Sequence, residues 1–270
     1  MNRQKVARGS RFALLALVPL CTILHLLNVL FSFDQGSNYF HADTLLPLVA
    51  NLLTLLTAAV AIVSAIAESK QECSGTPFGK QLFVALPAAI GLAVTSVYLL
   101  VDFFLQSNWL AFATAVFLIL TTVYVLRCET SKRQSSKTAL LGFASPLACA
   151  LLIGVLYFDT SLEMNAPMKV ATQCALLPLM LYFTAELRYL LGRELPRLYL
   201  ALALISLVAS SLCILAVPAA SIAGFLKNTN CLFAAITVAG LNVTVLLRLK
   251  RFLQPTLAPD ENETKETDVQ

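Results

Sequence analysis

Residues 169–197 read KVATQCALLPLMLYFTAELRYLLGRELPR. This apolar run holds an internal proline, Pro178, and carries Glu186 and Arg188 before its hydrophobicity ends in a short basic turn, GRELPR. Its length decides the fold class. A helix rises about 1.5 Å per residue, so about 20 apolar residues cross a hydrocarbon core about 30 Å thick. Lipid offers no partner for free N–H and C=O groups, so a run that enters it must be helical.

Runs of this kind recur along the chain. Eight are expected to be transmembrane helices, at about 12–32, 45–67, 82–104, 109–126, 139–158, 170–190, 198–217 and 229–247. They explain the composition: the 270 residues are 58% hydrophobic and 13% charged, whereas soluble domains hold about 45–50% and about 25%. Mean hydropathy is +0.79. The predicted fold class is an all-α integral membrane protein, with residues 1–253 as one membrane domain of eight helices. The tail, 254–270, is acidic, has no apolar period and is expected to be disordered. The basic residues 1–11 and the apolar run after them resemble a signal peptide, but that run is too long, so it is read as an uncleaved first span.

Charge sets the direction. When loops are assigned alternately to two sides, 17 of the 19 Lys and Arg residues fall on one side, and only Lys169 and Lys227 on the other. The positive-inside rule then places both termini in the cytoplasm of a multi-pass protein at the cell membrane. The same distribution explains the net charge of +4. The basic residues follow the membrane boundary, so the expected partner is the lipid bilayer and not nucleic acid. A membrane protein partner, a second copy of the chain or a small-molecule solute are further partners consistent with the pattern.

Polar residues inside spans are the candidates for function, because lipid makes them costly. His25 and Asn28 lie three apart on one face of the first span; they fit interhelical hydrogen bonds or a ligand site. In the second span, Asn51, Thr54, Ala58, Ala61 and Ala65 form a small and polar stripe suited to close packing or to a cavity lining. Asp102 lies near the outer end of the third span, and Asn242 lies within the eighth. Glu186 and Arg188 are two residues apart, so they do not face each other on a helix. Arg188 is expected to reach the membrane surface, and Glu186 to find water or a partner on a neighbouring span.

Other chemistry lacks a pattern. The seven cysteines show no CxxC or Cys/His spacing and read as small buried hydrophobes. Asp34, His41 and Asp43 in the first outer loop match no metal-site spacing, and no metal or cofactor is expected. Phosphate loops, dinucleotide glycine patterns, HExxH and GxSxG are absent. No catalytic residue is assigned.

A duplication is suggested by LLPL at both 45–48 and 176–179, and by FATAVFLILTTVYVLR (112–127) beside FAAITVAGLNVTVLLR (233–248), which share five of sixteen positions. Halves 12–127 and 139–248 would then be parallel four-helix repeats with a substrate path between them. The leading functional expectation is a transporter or permease-like protein for a small uncharged or amphipathic solute. The alternatives are a non-catalytic membrane sensor or partner subunit and, third, a lipid-acting membrane enzyme using Glu186, Arg188 and His25.

Overall fold

The computed structural model describes residues 3–34, 36–41, 43–68, 77–130 and 136–253; the predicted tail at 254–270 lies outside them. In chain order the elements are α1 (Arg3–Ser32), a two-strand hairpin β1 (Phe33–Asp34) and β2 (Tyr39–Phe40), and α2 (Leu46–Ala67). Then come α3 (Leu82–Gln106), α4 (Trp109–Thr130), α5 (Ser136–Gly142), α6 (Ala144–Phe158) and α7 (Pro167–Leu190). The last three are α8 (Pro196–Ser210), α9 (Ala216–Ile222) and α10 (Thr229–Phe252). Seven helical segments are long and apolar enough to cross a membrane, counting α5 and α6 as one segment, Ser136–Phe158. The chain is a multi-pass membrane protein.

Two expected spans are interrupted, each for a local reason. Pro146 has no N–H to give the carbonyl of Gly142, four residues back, and α5 ends at that glycine. The expected continuous helix at 198–217 is split between α8 and α9. Fifteen residues of α8 rise only about 22 Å, less than a hydrocarbon core. After it the backbone tightens to i−3 bonds, Leu212 N–H to Ala209 at 3.2 Å and Cys213 N–H to Ser210 at 3.1 Å. Ser210 and Ser211 add hydroxyl bonds to Leu207 and Val208 carbonyls at 2.7 and 2.6 Å, which compete with helical bonding. Pro218 then deprives the Ile214 carbonyl of a helical donor.

Helix ends also differ from expectation. α4 continues to Thr130 and α10 to Phe252, beyond the expected ends at 126 and 247. Glu129, Arg248 and Arg251 are therefore helical residues and not loop residues.

α10 is the central helix. It packs on α3, α7, α8 and α9, while neighbouring pairs α1/α2, α2/α8, α8/α7, α7/α6, α6/α4 and α4/α3 surround it. Its apolar window is 56% buried against 22% for α2, which places α2 at the periphery. α3 and α10 approach closely because glycine faces backbone on both sides. A Cβ on Gly91 would stand 2.9 Å from the Ile236 carbonyl oxygen, and one on Gly240 would overlap the Pro87 carbonyl. Hydroxyls add polar ties along this contact: Thr95 donates to the Phe233 carbonyl at 2.8 Å, Thr237 to Thr95 at 2.7 Å and Thr244 to the Val84 carbonyl at 2.8 Å. The two sequence halves do not have equivalent neighbours. α3 is flanked by α4 and α10, whereas the matching segment of the second half, α8–α9, packs on α1, α2, α7 and α10.

Candidate functional site: a buried ion-pair cluster

α4, α7 and α10 end side by side, and the last two turns of each carry the charge. Arg248 of α10 is 1% exposed, and Glu129 of α4 and Glu186 of α7 are equally buried. Arg248 Nε donates to Glu129 Oε1 at 2.9 Å, and its Nη1 donates to Glu186 Oε1. Arg251, one turn on, donates from Nη1 to Glu129 Oε2 at 2.7 Å and from Nε and Nη2 to Gln81 at 3.1 and 2.9 Å. Among the described residues two carboxylates thus face two guanidinium groups, so the formal charges of the cluster balance. This balance matters, because each ion costs several kcal/mol to desolvate and only well-placed partners offset that.

Aromatic side chains complete the shell. Tyr124 of α4 donates to Glu186 Oε2 at 2.9 Å, and Tyr182 of α7 donates to Oε1 at 3.1 Å. Tyr182 also shares a 2.7 Å hydrogen bond with Tyr199 of α8, whose ring lies 4.9 Å from that of Phe252. The Arg248 guanidinium sits 5.7 Å from the centre of the Phe78 ring. One of its nitrogens, Nη2, is buried with no hydrogen-bond partner among the described residues. Arg11 and Glu68 form a further ion pair, 2.9 Å, between the start of α1 and the end of α2.

A second polar cluster lies at the opposite ends of the helices. Asp159, which follows α6, accepts from Asn228 at 2.8 Å, Asn230 at 2.5 Å and the Ser161 N–H at 2.9 Å. Burial pushes the Asp159 carboxyl up, but the hydrogen bonds from Asn230, Ser161 and Asn228 outweigh it, and the carboxyl lies below its usual range. Lys169, 2% exposed, caps the end of α6 by donating to the Asp159 carbonyl at 2.7 Å. Asn228 also caps α10, accepting from the Cys231 N–H at 2.6 Å.

The structure separates the candidates read from sequence. His25 bonds Thr54 at 2.9 Å across the α1/α2 contact, with Cys21 and Thr57 3.3 Å apart one turn away. Asn28 is buried there too, and its Oδ1 has no partner among the described residues. Asn51 departs from the predicted packing stripe: it is exposed on α2, because the buried face runs through Thr54, Thr57, Ala61 and Ala65. Asp102 is buried and accepts from Asn108 at 3.2 Å, which ties the α3–α4 turn. Asn242 bonds the Val238 carbonyl in its own helix at 2.9 Å. Glu186 points in and Arg188 is exposed, as their two-residue spacing predicts. His25 and Glu186 belong to different helix contacts. Asp34 caps its own loop, accepting from Ser37 Oγ at 2.7 Å and Gly36 N–H at 3.1 Å; those bonds hold its carboxyl below the usual range.

Sequence reasoning missed Glu129, Arg248, Arg251 and the three tyrosines. In the sequence Arg248 counts toward the positive-inside bias, as does Arg127, its match in the aligned pair. Arg127 is exposed and Arg248 is buried. A signal was present: Arg248 and Arg251 are three apart on one helical face, and Tyr182 and Glu186 four apart. No protein-family model, curated protein or solved structure matches this chain.

Proposed function

We propose that the protein is a permease-like membrane protein that moves a small uncharged or amphipathic solute, with eight crossings and both termini in the cytoplasm. One observation carries this reading: the buried Glu129–Arg248–Glu186 cluster joins three helix ends. A bundle that only had to stay closed would be as stable with apolar residues there, because replacing a buried ion pair by well-packed apolar groups is often neutral or stabilising. Ions kept within a membrane helix therefore point to a working role. Their bonds can be exchanged for water when the helix ends part, which suits a gate. The split helices α5–α6 and α8–α9 suit it as well, since broken helices supply the free backbone groups of many transport sites.

Eight crossings are supported by the two polar clusters. Tyr199, at the start of α8, bonds Tyr182 beside the ion-pair cluster, and Asn228, before α10, bonds Asp159 in the other cluster. The chain between them traverses the bundle through α8 and α9. The parallel-repeat reading has weaker support, given the unequal neighbours of α3 and α8–α9.

Uptake by proteoliposomes tests the proposal. A panel of radiolabelled small neutral solutes should include at least one that enters faster than in protein-free vesicles, with the rate altered in Glu186→Gln. Folded protein that passes none of a broad panel would overturn it. The partner-subunit reading is favoured by Asn51, a polar side chain exposed on the peripheral helix α2, where an amide would bond to another helix. A stoichiometric partner whose co-purification is lost in Asn51→Leu would decide for it.

A further inference from the structure

We propose that the groove between α1, α8 and α10 is a binding site for an anionic phospholipid of the bilayer. Its walls are Leu14 and Val18 of α1, Leu204 and Leu207 of α8, and Leu246 and Leu249 of α10. The groove encloses about 350 Å³. Arg11 and Lys250 stand at one end of it, and no carboxylate is among its described lining residues. An apolar trough ending in two cations matches one kind of molecule already present in the membrane: an acyl chain joined to a negatively charged headgroup. From Arg11 to Pro19 the groove runs eight residues of helix, about 12 Å. That is two turns, too short a seat for a partner helix but suited to the upper part of an acyl chain.

The cations are placed for this role. Lys250 is exposed and makes no ion pair among the described residues. Arg11 binds Glu68 yet remains a third exposed, at 34%. Both belong to the end of the bundle where the buried cluster lies, since Arg248 and Arg251 flank Lys250. Basic pockets between transmembrane helices hold anionic headgroups by the same chemistry. A groove of similar build between α4, α5 and α6 carries Arg127 and Lys137 above Leu120, Leu140 and Leu147, and encloses about 360 Å³.

Native mass spectrometry of the purified full chain tests the assignment, with phosphatidylglycerol and phosphatidylcholine of identical acyl chains as probes. Wild type should retain phosphatidylglycerol in preference. Lys250→Gln should reduce that preference about fivefold, the effect of one basic residue near an anionic headgroup. Leu246→Trp, at a position 50% exposed, should fill the groove and lower retention with the cations intact. Both positions are accessible, so folding is preserved, and a thermal melt equal to wild type confirms it. Equal retention of the two lipids by wild type overturns the proposal. So does normal retention in Leu246→Trp, which would leave only surface charge at work. A preference lost in Arg127→Gln/Lys137→Gln but kept in Lys250→Gln would also overturn it, by moving the site to the other groove.

Discussion

Arg248 shows what a buried charge demands of its surroundings. Its guanidinium faces Glu129 and Glu186, but Glu129 is also held by Arg251. Arg248→Met therefore strands Glu186 more than Glu129. Breaking a buried pair on one side costs about 3–5 kcal/mol, so this variant should melt well below wild type in detergent. Glu186→Gln added to it removes the stranded charge, and the double variant should be more stable than Arg248→Met alone. Additive losses in that double-mutant cycle would show that the pair is not coupled. Asp159 gives a pH prediction. Its folded carboxyl lies below the usual range, so it contributes stability that is present above the unfolded carboxylate range and lost as pH falls through the folded value. Asn230→Ala removes one of the bonds that lower it. The variant should melt below wild type at neutral pH, and its melting temperature should fall less from neutral to acid pH, so that the two curves converge at low pH.

At the scale of elements, the α3–α10 contact is set by what is missing from two positions. Gly240 meets the Pro87 backbone and Gly91 meets Ile236, so neither helix can carry a side chain there without moving apart. Gly240→Ala should destabilise the protein by about 1–3 kcal/mol, the usual cost of overpacking. Gly154→Ala is the matched control, because its nearest atoms belong to Leu110 at 3.8 Å, an ordinary contact. Alanine also favours helix over glycine by about 1 kcal/mol, so this variant should melt at or above the wild-type temperature. The broken helices follow different logic. α5 stops where Pro146 withdraws a donor, a feature readable from sequence. The end of α8 depends on three neighbouring choices, the serine back-bonds, the i−3 turns and Pro218, and hydropathy averages over all of them.

For the whole molecule, the two polar clusters mark the two faces of the bundle. Lys227 and Glu194 are both exposed and belong to opposite faces. With Cys73 and Cys174 replaced by serine, Lys227→Cys should react with a membrane-impermeant thiol reagent in intact cells. Glu194→Cys should react only after permeabilisation. The reverse pattern would invert the N-in/C-in orientation proposed from the basic residues.

The stretch at 169–197 was decisive for the class of fold. Its length and apolarity, repeated along the chain, require membrane helices because lipid leaves backbone groups no alternative. The spacing of Glu186 and Arg188 also fixed that they face different ways, since two residues on a helix turn by about 200°. Sequence alone could not supply the partner of Glu186. Arg248 is 62 residues away and reads as one more basic residue at a membrane boundary. Whether such a residue stays exposed, as Arg127 does, or is drawn into the bundle depends on which helix is central. That is a property of packing among all the helices, and only the tertiary structure decided it.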